Sequence, residues 1–566
     1  MNDVTRIMQR VRFKLFWVIA LAAISLALTT LLFTHVTHFE VDDWGLLSKL
    51  PVIFWVGLLS LGLLLYPAQK HKNRMICLSV LFILFLFWVP QLIKDYGAEF
   101  HHAYYFSSEA KLLTSKGHLV TNPNDPLIRY QNWPFFLYLE AIMIEVMGMP
   151  PLILTDLFQL INIGLFALLA FLIFRLKLGT TNSLFAVIWF LTGFWMGQNY
   201  FSPQSMSYVL YLMVFFLIVK QLYYTTQIKG RTIRLLVFFL FSTTVFSHQL
   251  TPIVIISALV AISLFKTLSR RFSTQVSSTV TLATCALFIT IQATYMIYIA
   301  YPVLDVIGQI LRERIFLSEI SPALTWASRT FTFGSTYEII SALSSRAIVT
   351  INLIFFAFGV SARFFGRKAR KTRSNNLFWI AWIGGVGFFG LFASYGIEPH
   401  IRAYMFALVP LSYINISFLI KKPKILCTVL LILLFFHFPA HYSKDSWYAV
   451  TSTEMAGTKF FAEKTPQSAL YYYTQESPTL WYQDPTRVAT IGYIMYDPQK
   501  FYAGSFNASL FREETQDADY FLLSSSQKNF FFYYFGSYPF EKLHLDVYNN
   551  RLYNNERFLI YGKIKD

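Results

Sequence analysis

The chain of 566 residues has only three cysteines, Cys77, Cys285 and Cys427, each in or beside an apolar run. That excludes a disulfide framework and a paired-thiolate metal motif. Charge is scarce as well. Charged residues make up 14% of the chain against 55% hydrophobic, and mean hydropathy is +0.48. A soluble chain of this length rarely has such a balance. Acidic residues are the rarer sign, 30 Asp and Glu against 47 Lys and Arg. There is no Walker A loop, no Rossmann fingerprint, no Gly-x-Ser-x-Gly elbow and no His-Glu-x-x-His pair. The absence of nucleotide motifs fits a site on the side of a membrane where nucleotides are scarce. No internal repeat or low-complexity segment is present.

Long apolar runs take the place of these features. A helical span needs about 20 apolar residues, and thirteen candidates can be marked: residues 16–34, 51–67, 76–93, 152–174, 184–200, 205–219, 235–247, 251–265, 280–301, 347–360, 377–394, 403–420 and 425–438. Residues 15–36 are too long and too uniformly apolar for a cleaved signal peptide, so they read as a signal anchor. The net charge of +17 is not spread evenly. Lys and Arg concentrate in seven loops, 6–14, 70–74, 175–177, 220–234, 266–271, 363–373 and 421–424, and the one acidic residue near them is Asp3. These loops alternate with acidic ones. Positive loops stay cytoplasmic, so the alternation predicts a cytoplasmic N-terminus and an outer C-terminal region. The excess charge faces anionic lipid headgroups, and no nucleic-acid partner is expected.

The segment 135–148 is apolar but carries Glu140 and Glu145. Each would cost about 2.5–3.5 kcal/mol at the centre of a bilayer. Counting it as a span would also move the loops at 175–177 and 363–373 to the outside. It is expected to lie along the outer interface as an amphipathic helix. The predicted organisation is an N-terminal two-helix membrane segment (1–75), a membrane core with an outer loop at 94–151 (76–440) and an outer α/β domain (441–566). In that last part the pattern predicts a helix near 454–463, strands at 469–474, 488–496 and 520–524, and a hairpin over 551–561 turning at Asn554-Asn555.

Chemistry-bearing residues collect on the predicted outer face. The loop after the third span reads Lys94-Asp95-Tyr96-Gly97-Ala98-Glu99-Phe100-His101-His102. A carboxylate just past a membrane helix can be desolvated and tuned as a general base, with an imidazole beside it. The i,i+4 spacing of Asp95 and Glu99 is compatible with a divalent ion, but nothing in the sequence requires one. A zinc site from His101, His102 and His118 is a weaker option, because adjacent residues on a helix diverge by about 100°. Asp42-Asp43 looks like solvated surface. Trp133 suits a headgroup anchor or a sugar-stacking ring. Polar breaks at Asn199-Tyr200-Phe201-Ser202-Pro203-Gln204, at Ser247-His248-Gln249 and at Glu398-Pro399-His400-Ile401-Arg402 point to a cavity or a partner rather than lipid. Glu398 and Arg402 also have i,i+4 ion-pair spacing, and Arg346 opens a span. Arg and His at a helix end suit a phosphate.

This arrangement resembles the GT-C superfamily of polytopic membrane glycosyltransferases. The unit that carries the likeness is the span at 76–93, the carboxylates Asp95 and Glu99, the interfacial segment 135–148 and the return span ending in Arg175-Leu176-Lys177. His-Gln-Leu-Thr-Pro, Tyr-Phe-Ser-Pro-Gln and Arg402 followed by a helix with Pro410 add to it. The resemblance implies an all-α polytopic membrane bundle of about 13 transmembrane helices with a small extracytoplasmic C-terminal α/β domain. It implies transfer of a sugar from a polyprenyl-phosphate donor to a glycan, lipid or protein acceptor in cell-envelope synthesis. Glu99 or Asp95 would be the base. His101, His102, Trp133, Tyr200, Gln204, His248, Glu398 and Arg402 would contact substrate. The unit follows two earlier spans rather than none, a departure from the family pattern. The alternative class is a polysaccharide polymerase or a flippase; the near absence of charge within the spans favours an enzyme.

A cysteine placed in the loop 363–373 of a Cys-free variant should resist a membrane-impermeant thiol reagent in intact cells, and one placed after residue 441 should react. Labelling of the first would overturn the topology.

Overall fold

The computed structural model describes residues 2–40, 43–94, 100–119, 131–224, 230–268, 279–301, 330–332, 334–365, 373–392, 398–473, 478–484, 518–535 and 550–562. Each of the thirteen predicted spans falls on a helix. In order these are α1 (Asn2–Leu32), α2 (Val52–Ala68), α3 (Lys72–Leu92), α6 (Pro151–Leu178), α7 (Thr180–Gly193), α8 (Pro203–Tyr223), α9 (Gly230–Ser247), α10 (Thr251–Leu268), α11 (Leu282–Tyr298), α12 (Thr336–Phe365), α13 (Arg373–Phe392), α14 (Glu398–Leu419) and α15 (Pro423–Tyr442). Two more helices, α4 (His102–Lys116) and α5 (Pro134–Met147), lie between α3 and α6. Seven of the set are long and apolar enough to cross a membrane by length and composition, and five more are shorter apolar helices.

In lipid no water is available to a backbone N–H or C=O, so any break in a helical ladder must be repaired by a side chain. Two prolines show the repair. Pro410 lies inside α14 and has no N–H for the Phe406 carbonyl one turn earlier. The Tyr211 hydroxyl of α8 donates to that carbonyl at 2.7 Å, and Tyr208 donates to the neighbouring Met405 carbonyl at 3.1 Å. Pro90 in α3 leaves the Leu86 carbonyl without its usual donor, and the Tyr442 hydroxyl of α15 bonds it. Just before Pro90 the helix widens to a π turn over Leu84–Trp88. A third polar knot ties α7, α12 and α14. Trp189 donates to Asn352 Oδ1 at 2.8 Å, and Asn352 donates to the Tyr404 hydroxyl at 3.1 Å. Asn415 donates to the Asn352 backbone carbonyl at 3.1 Å.

Several of the basic turns lie side by side. Lys177 sits 5.1 Å from the Tyr223 ring centroid, and Trp379 donates to the Tyr223 hydroxyl. Arg363 lies 5.9 Å from the Tyr413 ring. Gln221 accepts from Thr279. At the opposite, polar end, Tyr295 donates to the Asn132 carbonyl and Asn162 to the Asn199 carbonyl. These contacts group the basic ends of α6, α8 and α12 with one another, apart from the polar breaks. Helix α5 has 14 residues, about 21 Å at 1.5 Å per residue, too short for a hydrocarbon core of about 30 Å. It buries Phe136, Leu137, Glu140 and Ala141 and exposes Ile142, Glu145 and Val146. Glu140 is buried against α4, where it accepts from Ser107 at 3.0 Å.

Past α15 come α16 (Ser452–Lys464), β1 (Tyr471–Tyr473), α17 (Pro478–Gln483), β2 (Tyr520–Ser524), α18 (Ser525–Phe535), β3 (Asn550–Asn554) and β4 (Phe558–Gly562). The sheet order is β1-β2-β4-β3, with β1 parallel to β2 and the other pairs antiparallel. The expected hairpin is present. Its loop is Asn555-Glu556-Arg557, with Glu556 at φ 71 and the Asn555 side chain accepting from the Phe558 N–H at 2.8 Å. The expected strand at 488–496 lies outside the described residues. The sheet layer joins the polar end through Asn529, which donates to the Phe39 and Ser446 carbonyls, and through Ser335 N–H to the Tyr533 carbonyl.

Several boundaries differ from expectation. Helix α7 stops at Gly193, not near Tyr200: Phe194 leaves the helical region at ψ 73, and Gly197 then takes φ 65 in a turn where a Cβ would fall 2.3 Å from the Phe100 ring. Helix α12 begins at Thr336, so Arg346 lies inside it, 5.0 Å over Phe331. Helix α15 runs on through Pro439 to Tyr442. Asp43 is no free surface acid. It pairs with Lys49 at 2.6 Å and closes the first loop by accepting from the Glu40 N–H. Asp42 lies outside the described residues.

Tyr211→Phe should destabilise the bundle by about 1–3 kcal/mol, because the Phe406 carbonyl is then buried without a donor. Pro410→Ala returns an N–H to that carbonyl. Thermal unfolding should therefore show the double variant losing less than the sum of the singles; strict additivity would exclude the coupling.

Candidate functional site

At the polar end the chain leaves α3 under tight control. Lys94 pairs with Asp445 at 2.8 Å, both side chains almost wholly buried, and its ammonium sits 5.4 Å from the Tyr442 ring. Val36 bridges to Lys94 and its N–H bonds the Ile93 carbonyl. Asp95 and Glu99 lie outside the described residues. The chain is described again from Phe100, whose ring meets Tyr200 at 4.8 Å and Tyr448 at 4.4 Å. Lys94 and Phe100, the described residues on either side, are each fixed by tertiary contacts.

His101 precedes α4 and is buried. Its ring stacks on His102 at 4.3 Å and Tyr448 at 5.3 Å and meets Trp447 at 5.7 Å. Burial first, and then the His102 charge, push the His101 pKa well below the ordinary imidazole value. His101 is thus a neutral ring in an aromatic wall. His102 is partly exposed beside Tyr105. His118 lies beyond the far end of α4, where its Nδ1 meets the Leu119 carbonyl. A 15-residue helix places it about 22 Å from His101 and His102, which removes the three-histidine zinc option. Among the described residues no cluster of three His, Cys, Asp or Glu side chains suits a metal.

His248 fills the gap between α9 and α10. Its Nδ1 contacts Thr251 Oγ1 at 3.0 Å and accepts from the N–H groups of Thr251 and Leu250 at 3.3 and 3.4 Å. It caps the start of α10 as a Ser or Asp would. An accepting Nδ1 puts the proton on Nε2. Burial, and then the Arg402 charge, hold the His248 pKa well below the usual range. Arg402 is in the first turn and a half of α14, so a neutral N–H donor and a guanidinium share one neighbourhood. Glu398 opens α14; its side chain lies outside the described set, and so does the expected pairing with Arg402.

Ser202 caps α8, accepting from the Ser205 N–H at 3.3 Å, with Pro203 at the first helical position. Gln204 is buried beneath it and Tyr200 is half-buried. Trp133 starts α5 and is buried in the bundle core, so its indole is not at the surface.

Two histidines escaped the sequence reading. His437 and His441 of α15 bond the Thr192 and Trp195 carbonyls at 3.1 and 3.0 Å, where α7 ends and its carbonyls lose their helical donors. Their i,i+4 spacing in an apolar run was the available signal. Lys111 of α4 donates to the Tyr482 carbonyl at 2.9 Å, which ties the loop helix to α17.

No family model matches the chain, and no curated protein matches it by sequence. Solved structures do. An oligosaccharyltransferase from Archaeoglobus fulgidus in the apo form aligns at TM-score 0.52 and 13% identity, over 88% of this chain and 74% of that one. The archaeal oligosaccharyltransferase AglB from Archaeoglobus fulgidus, in complex with an inhibitory peptide and a dolichol-phosphate, aligns at 0.50 and 12%, over 81% and 70%. ArnT from Cupriavidus metallidurans in the apo state gives 0.43 and 11%, over 82% and 93%. At these identities the first two establish a shared fold.

Because His101 and His248 are held neutral, the folded state binds fewer protons than the unfolded one. Their contribution is complete above the unfolded value of about 6.5 and declines as the pH falls below it. Melting temperature should be flat at neutral pH and drop in acid, and His101→Gln should flatten part of the drop. A melting temperature that rises on acidification would contradict this assignment.

Proposed function

We propose that this chain, which has the GT-C fold of polytopic membrane glycosyltransferases, moves a sugar from a polyprenyl-phosphate donor to an acceptor hydroxyl at the outer face of the cell membrane. The N-terminus lies in the cytoplasm and the C-terminal part outside. The observation that carries the reading is that His248, whose Nδ1 is used in capping α10, lies at the polar end of the bundle within reach of the Arg402 charge. A guanidinium and an imidazole N–H together suit a phosphate that gains charge as it leaves. The dolichol-phosphate in the AglB complex supports a lipid phosphate as the leaving group.

In this reading Glu99 takes the proton of the acceptor hydroxyl, with Asp95 as the other candidate. The oxygen attacks the anomeric carbon. The bond from that carbon to the phosphate oxygen breaks, and polyprenyl phosphate departs with the electron pair, its charge met by Arg402 and His248. His101, His102 and Tyr200 line the aromatic wall beside the two carboxylates' flanks, where rings can stack on a sugar face. Gln204 and Trp133 lie deeper. The acceptor is a glycan, lipid or protein of the cell envelope.

The assay is transfer from radiolabelled polyprenyl-phosphate sugars by the purified protein. Glu99→Gln keeps the shape and removes the charge, and should lower turnover about 10²–10⁴-fold. Near-normal turnover in Glu99→Gln with loss in Asp95→Asn exchanges their roles; activity in both removes this loop from catalysis. Arg402→Ala should weaken donor binding by about tenfold or more. Unchanged donor affinity would take the phosphate contact away from Arg402.

A further inference from the structure

One group of buried side chains carries polar atoms that no hydrogen bond described so far engages. Helix α6 presents Asp156, Gln159 and Asn162 at i,i+3 spacing, on a stretch that turns toward α8. Gln159 is 1% exposed, and no described protein group bonds either its Oε1 or its Nε2. The same holds for Asp156 Oδ1, Asn199 Oδ1, Gln204 Nε2 and Ser207 Oγ. Asn199, Gln204 and Ser207 are each at most 4% exposed.

Contacts of their neighbours set α6 against the start of α8 at this level of the bundle. Asn162 donates to the Asn199 carbonyl at 3.4 Å, joining α6 to the break before α8. Phe166 meets Tyr208 at 4.8 Å on the bundle side. One turn toward the polar end from those two rings are Asn162 and Gln204. Phe158 meets Phe201 at 5.1 Å and closes the polar-end side. The amides thus sit between two aromatic contacts.

Buried polar atoms normally find partners, and each one left over opposes folding. Here donors and acceptors are left over together. A cation would satisfy the oxygens of Gln159, Asn199 and Asp156 but not the amide N–H groups of Gln159 and Gln204. A phosphate would satisfy the N–H groups but meet the Asp156 carboxylate, and the group holds no Lys, Arg or His. A hydroxyl both donates and accepts, and neighbouring hydroxyls match a side-chain amide in pairs.

We infer that Gln159, Asn199 and Gln204, with Asp156 at the rim, bind the ring hydroxyls of the transferred sugar, apart from the phosphate contact at Arg402. The inference rests on the proposed glycosyl transfer and locates one subsite within it. The neutral amides select for hydroxylated, uncharged sugars.

The test uses the full chain in a sugar-free detergent. Saturation-transfer NMR with a panel of free monosaccharides should detect a ligand in the wild type. Gln159→Leu and Gln204→Leu should abolish that signal, and Arg402→Ala should keep it. In the transfer assay either Leu variant should raise donor KM about tenfold, the loss of one or two hydrogen bonds. Binding of bare polyprenyl phosphate should stay within about twofold, since no phosphate contact is touched. Because these changes remove orphaned polar groups, both variants should fold. If either fails to fold, the wild-type spectrum still decides. No sugar signal in the wild type, or equal signals in wild type and folded Leu variants, overturns the subsite and leaves the amides holding water only. Transfer with unchanged donor KM in the variants does the same while sparing the transferase. A sugar signal lost in the variants, in a protein that neither binds polyprenyl phosphate nor transfers sugar, keeps the subsite and removes the transferase.

Discussion

Every backbone carbonyl inside a lipid-embedded bundle needs a donor, and the architecture of this chain follows from how it meets that need where helices are interrupted. Pro410 and Pro90 each strip a donor from the carbonyl one turn before, and in both cases a tyrosine from a neighbouring helix supplies the hydroxyl. The tyrosines come from α8 and α15, so each repair also fixes the position of one helix against another. At the end of α7, His437 and His441 serve the Thr192 and Trp195 carbonyls in the same way. Asn352 joins three helices by the same rule. Apolar packing alone discriminates poorly between helix registers when lipid is as apolar as the helix face. These few hydrogen bonds specify which helix sits where.

At the polar end the rule is relaxed and side chains take over. Ser202 and His248 cap helices that start there, and the Lys94–Asp445 pair anchors the departing chain against the segment that follows α15. Such a pair contributes little net stability once desolvation is counted, but breaking it by removing one partner would leave a buried charge. Lys94 closes the described part of the chain after α3. Sheet, loop helices and bundle all meet here: Lys111 holds α17, Asn529 holds the first loop, and Ser335 holds the end of α18.

Much of this was legible beforehand. The spans, the alternation of basic loops, the β2 strand and the terminal hairpin follow from local composition and period. A run of about 20 apolar residues has no alternative to helix in a bilayer, and alternation at Arg551–Tyr561 has few alternatives to a hairpin. His248, Arg402 and Gln204 were singled out because polar residues at span ends rarely face lipid. Helix α4 was not legible, because its sequence is polar on one face and its burial comes from α5 and α17. Glu140, read as a cost to insertion, is sheltered by Ser107. The amide face of α6 was also missed. Gln159 and Asn162 sit inside a run that hydropathy averages as apolar, and only the approach of Asn199 and Gln204 gives them a common purpose.

By itself the sequence determined that the chain is a multi-pass helical membrane protein with its positive charge on one end and a small α/β layer at its C-terminal end. Those properties depend on neighbours within a few turns, where hydrophobicity, period and charge act directly. Which polar groups meet was decided only by the tertiary structure. Tyr211 and Phe406, Lys94 and Asp445, His441 and Trp195, and Asn162 and Asn199 are far apart along the chain or on different helices, and a hydrogen bond is fixed by distance in space. The same physics that made the spans easy to see, the demand that polar groups be satisfied out of water, made the partners invisible until the helices were placed side by side.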